Sequence, residues 1–184
     1  MRLSTGILRL LLTEPRRPRL ERIDESVELD FRVWPNDIDY MRHMNNARYF
    51  TAMELVRLAL MSRTGLVGLA VRRGWTFANA AQKAVYFRAL GLFDRYTVSG
   101  RVLYMDDRWL YLKQHVRRGG ELSATGLFKI GIREGRTVVS PRDLTAMLGY
   151  EKPTAGEPPA EVVEWERVNA ILVAEKKAET AVEV

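Results

Sequence analysis

The sequence predicts an α+β fold in which one buried helix packs on a single antiparallel sheet. Three stretches carry that prediction. Residues 27–33 alternate strictly between apolar and polar side chains, residues 47–63 show a wide apolar face at helical spacing, and from Trp75 to Val139 the period returns to two. One strand, one helix and then a meander is the resulting order. At 184 residues the chain is sized for one domain with a proper core.

Residues 1–26 read as an N-terminal segment and linker. The run Ile7-Leu8-Arg9-Leu10-Leu11-Leu12 is too short to span a bilayer and Arg9 interrupts it. No small-residue cleavage site follows it. It reads as a short helix that packs on the body or, helped by Arg16, Arg17, Arg19 and Arg22, makes peripheral contact with a membrane surface. Pro15 and Pro18 make the next residues a linker.

In the first strand Val27, Leu29, Phe31 and Val33 share one face, and Glu28, Asp30 and Arg32 the other. Pro35 ends it. The helix runs from about Ala47 to Arg63, capped by Asn45 or Asn46 and stopped near Gly65. Its apolar face is wide enough that the rest of the domain must wrap it. Leu66 to Val71 adds a helical turn or two before Arg72-Arg73-Gly74. Trp75 to Ala89 is one long strand, bulged near Asn79-Ala80-Ala81. Strands follow at Tyr96–Met105, Arg108–Arg118, Glu121–Arg133 and Arg136–Val139. Asp106-Asp107, Gly119-Gly120 and Glu134-Gly135 turn them, and Gly119-Gly120 is a hairpin signal. Pro141 opens a short helix to Leu148. Residues 149–184 supply a linker and an amphipathic helix over about 162–177.

Composition narrows the chemistry. There is no cysteine, hence no thiol nucleophile, thiolate site or disulfide. His43 and His115 are the two histidines, too few for a histidine metal cage, so no metal site is expected. Neither a P-loop, a dinucleotide glycine fingerprint nor a G-x-S-x-G elbow is present. The net charge is +6, yet residues 151–184 carry net −4 and residues 1–150 net +10. A basic body suits a polyanion or anionic membrane surface, and equally serves solubility. The aromatic residues show no regular interleave with the basic ones, so no nucleic acid is expected as partner.

The chemistry concentrates in Asp37-Ile38-Asp39-Tyr40-Met41-Arg42-His43-Met44-Asn45-Asn46, a loop between strand and helix. A helix N-terminus offers unpaired N–H groups and partial positive charge. Beside it a carboxylate can act as base while the N–H groups stabilise an oxyanion. Asp39 is the candidate base; its bland role is that of an acid favoured at a helix start. Asp37 is expected to tie down its own turn. His43, four residues from Asp39, either orients the carboxylate or a substrate carbonyl, or satisfies loop carbonyls. Asn45 and Asn46 read as cap and loop organisers, and as substrate contacts in the sharper reading. Glu54 is paired with Arg57 in the plain account. His115 reads as a sheet-surface residue. Arg72, Arg73, Arg88, Lys129 and Arg133 are candidates for nucleotide phosphates, and each alone is also an ordinary surface charge.

The string from Asp37-Ile38-Asp39 through His43-Met44-Asn45-Asn46-Ala47-Arg48-Tyr49 to Glu54 resembles the signature of the hotdog-fold acyl-CoA thioesterases. It is most similar to the 4-hydroxybenzoyl-CoA thioesterase-like group and the thioesterase superfamily member 6 branch. Val85-Tyr86-Phe87-Arg88-Ala89-Leu90 with Asp94-Arg95 resembles the family's second-strand segment and the turn after it. The likeness covers about residues 27–148, the expected hotdog domain.

The resemblance implies an antiparallel sheet of five to six strands wrapped around a central helix, homodimers paired through edge strands, and active sites at the subunit interface. It implies hydrolysis of an acyl-CoA or acyl-carrier thioester, with Asp39 as base or nucleophile and the carbonyl polarised by N–H groups at a helix start. On that reading His43 acts beside Asp39, and Asn45, Asn46, Tyr49, Glu54 and Arg88 contact substrate. Glu54 is the reserve base because other hotdog subgroups carry the catalytic carboxylate on the helix. No cofactor is implied, coenzyme A being part of the substrate, and a cytoplasmic setting is expected. Departures are Arg42 for a glycine of the benzoyl-CoA type, Met41 where the plant acyl-carrier-protein thioesterases, which carry a similar string, have an asparagine, and Ala89 for a proline. The missing amide at Met41 motivates a rival reading as a non-catalytic hotdog that binds acyl chains or protein. A hydratase ranks third, since Asn and Pro are absent between Asp39 and His43.

Overall fold

The structure, a computed structural model, describes residues 6, 7, 10, 12–14, 17–151 and 156–182. These form two compact units, divided between Lys152 and Pro153. The first contains strand β1 (Val27–Arg32), helix α1 (Asn46–Arg63), helix α2 (Leu66–Arg73), strands β2 (Trp75–Tyr86), β3 (Arg95–Met105), β4 (Leu110–Arg118), β5 (Glu121–Glu134) and β6 (Thr137–Val138), and helix α3 (Pro141–Met147). The second is helix α4 (Ala160–Val182), longer at both ends than the expected 162–177. Most of the expected N-terminal helix lies outside the described residues. Of its described apolar residues, Ile7 and Leu10 pack on the main core while Leu12 is exposed. No described helix is long and apolar enough to cross a membrane.

All strands join one antiparallel six-stranded sheet in the order β1-β3-β4-β5-β2, with β6 paired to β5. The sheet wraps α1, as the expected architecture requires. Met53, Val56 and Leu60 of α1 bury against Val98, Leu112, Val116, Ala124 and Phe128 of the sheet, each contributing on the order of 1.5–3 kcal/mol. A second cluster joins Leu69 and Ala70 of α2, Trp75, Ile132, and Leu144 and Leu148 of α3.

Two absent side chains set how deep α1 sits. A Cβ on Gly126 would lie 2.8 Å from Met53 Sδ, and one on Gly100 would lie 2.9 Å from Val56 Cγ1 and 2.8 Å from Gln114 Nε2. Gln114 is wholly buried and its Nε2 donates to the Met53 carbonyl at 3.0 Å, so it has little room to yield. At the far end, Arg19 Nη2 donates to the carbonyls of Thr64 (2.9 Å) and Leu148. A cation is favoured at such helix C-termini. Tyr150 Oη donates to the Leu20 carbonyl at 3.0 Å, fastening the linker down.

Several boundaries differ from the sequence reading. The long strand β2 stops at Tyr86 rather than Ala89, because the N–H groups of Phe87 and Arg88 both turn to the Ser123 carbonyl. β4 starts at Leu110 rather than Arg108, because Asp106 Oδ1 accepts from the N–H of Arg108 (2.7 Å) and Trp109 (2.6 Å). The expected bulge falls between Asn79 and Ala81. A 3₁₀ turn at Pro35–Asp37 follows β1.

Candidate active site

Residues 37–45 fold into a miniature hairpin at the start of α1. Asn45 N–H donates to the Asp37 carbonyl (2.8 Å), Asp39 N–H to the His43 carbonyl (3.0 Å), and Ile38 bridges Met44. Asp39 and His43, four apart in sequence, therefore face each other across the hairpin. The tip closes with Arg42 N–H on the Asp39 carbonyl at 3.0 Å. Asp37 is buried, and its Oδ2 accepts from the Trp34 N–H at 2.9 Å, the turn-fastening role expected of it. Arg48 reaches back from α1 to Asp37 Oδ1 (3.5 Å) and donates to the Asn36 carbonyl (3.1 Å).

Asn45 is the N-cap, accepting from the Ala47 N–H at 2.9 Å. Asn46 is then the first helical residue, whose N–H the helix leaves without an internal partner. Asp39 is half-buried, and its Oδ1 accepts from the Met41 N–H at 2.9 Å. No donor among the described residues bonds its other oxygen.

A cleft of about 340 Å³ opens here, lined by Asp39, His43, Asn46, Tyr49, Arg88 and the walls of Tyr86 and Phe87. Five of the seven residues singled out in the sequence thus meet in one cavity. Asn45 sits beside it as cap. Glu54 does not line it: eight residues along α1 from Asn46, it lies about 12 Å further down the helix axis. There it pairs with Arg57, whose buried guanidinium stacks 4.1 Å over Phe128. Of the candidate phosphate cations only Arg88 lines the cleft, paired with Glu121. Lys129 is buried over the Trp109 ring at 4.5 Å. His115 is half-buried in the sheet, 3.0 Å from Thr125 Oγ1. No cluster of metal-ligating side chains occurs among the described residues.

The sequence reading marked Leu90 and Asp94 only for their resemblance to a family turn; it did not foresee that their loop braces this cleft. Leu90 is fully buried; its N–H donates to Tyr49 Oη (3.2 Å) and its carbonyl accepts from the Met44 N–H (2.8 Å). Asp94 Oδ2 accepts from the Gly91 N–H at 2.8 Å and pairs with Arg118. Burial alone would raise the Asp94 carboxyl, but the Gly91 N–H and Arg118 outweigh it and hold it below the usual carboxylate range. Burial also pushes the Tyr49 and Tyr86 hydroxyls up, so both stay neutral at physiological pH. A groove of similar volume lies on the other flank of α1, lined by Arg32, Arg48, Arg95 and Phe31 among others. Its carboxylates serve the fold, Asp37 accepting from the Trp34 N–H and Asp30 from Thr97 Oγ1, whereas the first residue of the helix, Asn46, lines the Asp39 cleft, which makes that cleft the chemical candidate.

The family model described as thioesterase-like superfamily matches residues 33–165. Protein THEM6 of Xenopus laevis is 28% identical over 153 residues, covering 82% of this chain and 72% of that protein. A probable thioesterase of Saccharomyces cerevisiae is 24% identical over 124 residues, covering 66% of this chain; the match spans 54% of that protein's length. Among solved structures, the hypothetical protein SAV2348 from Staphylococcus aureus in complex with CoA superposes with a TM-score of 0.62 at 18% identity, over 77% of this chain and 96% of its own.

Proposed function

Because the chain belongs to the thioesterase-like superfamily, a family of thioester hydrolases, we propose that it cleaves a fatty or aromatic acyl-CoA with Asp39 as base or nucleophile. The observation that carries this reading is the juxtaposition, in one cleft, of Asp39 and the first-turn residue Asn46. Asp39 Oδ1 is held by the Met41 N–H, which fixes the carboxylate and leaves Oδ2 without a bonded donor among the described residues.

In the base form of the reaction, Asp39 takes a proton from water as its oxygen bonds to the thioester carbonyl carbon. Negative charge moves to the carbonyl oxygen, where the Asn46 N–H and the helix start stabilise it. The carbon–sulfur bond then breaks and the thiol leaves with the proton held by Asp39. In the nucleophile form the carboxylate itself attacks the carbonyl carbon, the carbon–sulfur bond breaks and the thiolate leaves; water then hydrolyses the mixed anhydride, freeing the Asp39 carboxylate and the acid and supplying the proton that the thiolate takes up. His43 orients the carbonyl from across the hairpin. Neither route draws on a metal or redox group, and coenzyme A enters as part of the substrate, a reading supported by the CoA-bound Staphylococcus aureus neighbour. Arg88 is the cation at the cleft for its phosphates.

The same reading makes the protein a homodimer. β2 is a sheet edge, and it exposes Phe77, Val85, Tyr86 and the adjoining Phe87. An exposed apolar edge strand is a template for a second strand. Tyr86 and Phe87 also line the cleft, so a partner's β2 would complete its wall. Light scattering on the eluted protein reads the expected dimer mass.

Thiol release from a panel of acyl-CoAs, by wild type and Asp39→Asn, tests the catalytic claim. Turnover on some member, lowered by about 10²–10⁴-fold in the variant, is the expected result for loss of a positioned base. Undiminished turnover by Asp39→Asn refutes the assignment. Absence of turnover on every member, with acyl ligand still bound, would favour the binding-module reading that Met41 motivates.

A further inference from the structure

Two loops flank the cleft, residues 33–45 and 87–94, and the structure binds them side by side. Val33 N–H donates to the Asp94 carbonyl (2.9 Å), Phe93 N–H to the Val33 carbonyl (3.0 Å), and Met44 N–H to the Leu90 carbonyl (2.8 Å). Their outer residues are apolar and exposed: Trp34 45%, Tyr40 93%, Met41 61%, Leu92 47% and Phe93 47%. Trp34 and Phe93 meet edge-on with centroids 6.3 Å apart, and the Arg32 guanidinium lies 5.5 and 5.3 Å from the two ring centres. Single exposed apolar residues are ordinary; a cluster on two adjoining loops marks an interaction surface.

Charge on the same loops is sorted. Asp37 is buried with Arg48, Asp94 is paired with Arg118, and Asp39 is bonded into its own turn. Among the described residues Arg42 on the first loop and Arg95, which opens β3 just after the second, form no ion pair, and Arg32 lies over Trp34 and Phe93, so the outward balance is positive although Asp39 keeps one open oxygen. Backbone conformation adds an independent sign. Only two described residues other than glycine hold a positive φ, Arg42 at 62° and Phe93 at 66°. Glycine would take these conformations without strain. One in each loop, a cation and an aromatic ring, are kept where the backbone disfavours them. Strained positions of this kind gather at functional sites.

We propose that the tips of these two loops form a docking surface for an anionic lipid bilayer. Aromatic side chains settle at headgroup depth, and arginines are drawn to the negative surface potential of such a membrane. The surface borders the cleft, so an amphiphile dissolved in the bilayer would meet the cleft mouth. It is a different part of the chain from residues 1–13, and the proposal stands whether or not Asp39 is catalytic.

Co-sedimentation of the full chain with phosphatidylcholine vesicles, with and without phosphatidylserine, tests it. One variant combines Tyr40→Ser, Leu92→Ser and Phe93→Gly, the last of which the φ at 93 favours; a second combines Arg42→Glu and Arg95→Glu. Thermal unfolding verifies that both stay folded. Wild type should bind the phosphatidylserine vesicles and release as salt shortens the screening length. Each loop variant should bind roughly tenfold or more weakly, while Leu12→Ser in the N-terminal segment should bind as wild type does. No wild-type binding to phosphatidylserine vesicles, unchanged binding by both loop variants, or loss confined to Leu12→Ser would each overturn the proposal, as would binding to RNA with none to vesicles.

Discussion

Tyr49→Phe removes one oxygen atom from the brace of the cleft. Tyr49 is 2% exposed and Leu90 0%. The Tyr49 hydroxyl accepts the Leu90 N–H at 3.2 Å, a buried bond. The ring itself stays, and with it the edge-on contact with Tyr86, whose centroid is 5.1 Å away. The change therefore isolates the penalty of orphaning one buried donor, about 1–3 kcal/mol. For a domain of this size that corresponds to a fall in Tm of roughly 2–10 °C. Denaturant titration should show a lower midpoint with an unchanged slope, since the surface exposed on unfolding is the same. Hydrogen exchange gives the local test: the Leu90 amide should lose protection beyond the global change. A Tm within about 1 °C of wild type would show that the Leu90 N–H does not depend on this hydroxyl.

Asn45→Ala should cost about 1 kcal/mol by stripping the cap from α1, whereas Asn46→Ala, one position inside, should cost less by chemical denaturation. Glu54→Gln leaves the buried Arg57 guanidinium without its counter-charge and should lower stability by about 1–2 kcal/mol, the half-exposed carboxylate softening the effect; thiol release per folded molecule should stay within a few-fold of wild type, far from the fall expected for Asp39→Asn. The Asp94 carboxyl is held lower in the folded chain than in the unfolded one. Its pair with Arg118 and Gly91 therefore stabilises fully above the ordinary carboxylate range, near pH 4, and the contribution fades as pH falls through the folded value. In Asp94→Asn the acid limb of a stability-against-pH curve should be shallower; an unaltered limb would count against that linkage.

The alternation of Val27 to Val33, the wide apolar face of α1 and the Gly119-Gly120 turn all act through local periodicity, so the architecture and the bulge near Asn79 were legible in the sequence. Local chemistry also placed Asp39, His43 and Asn46 on one loop. What escaped reading depends on contacts far apart in the chain. β2 ends where Ser123 captures two N–H groups, and β4 starts late because Asp106 captures two more. The Leu90 brace joins residues 41 positions apart, and positive φ at Arg42 and Phe93 contradicts their side-chain types. Glu54 reads as a neighbour of the site in sequence, but two turns of helix carry it away.

Gly100 and Gly126 lie beneath the middle of α1, remote from the cleft, yet they fix the height at which the whole rod rests on the sheet. A rod lifted at its centre also moves at its end. A methyl group added under Val56 would shift the amide at Asn46 and load the ties that join the hairpin to the same rod, Arg48 to Asp37 and, through Leu90, Tyr49 to Met44. The spacing between the carboxylate and that amide is thus governed partly from the sheet beneath the helix, and a hydrocarbon substitution there should slow thiol release while every polar group of the cleft is left in place.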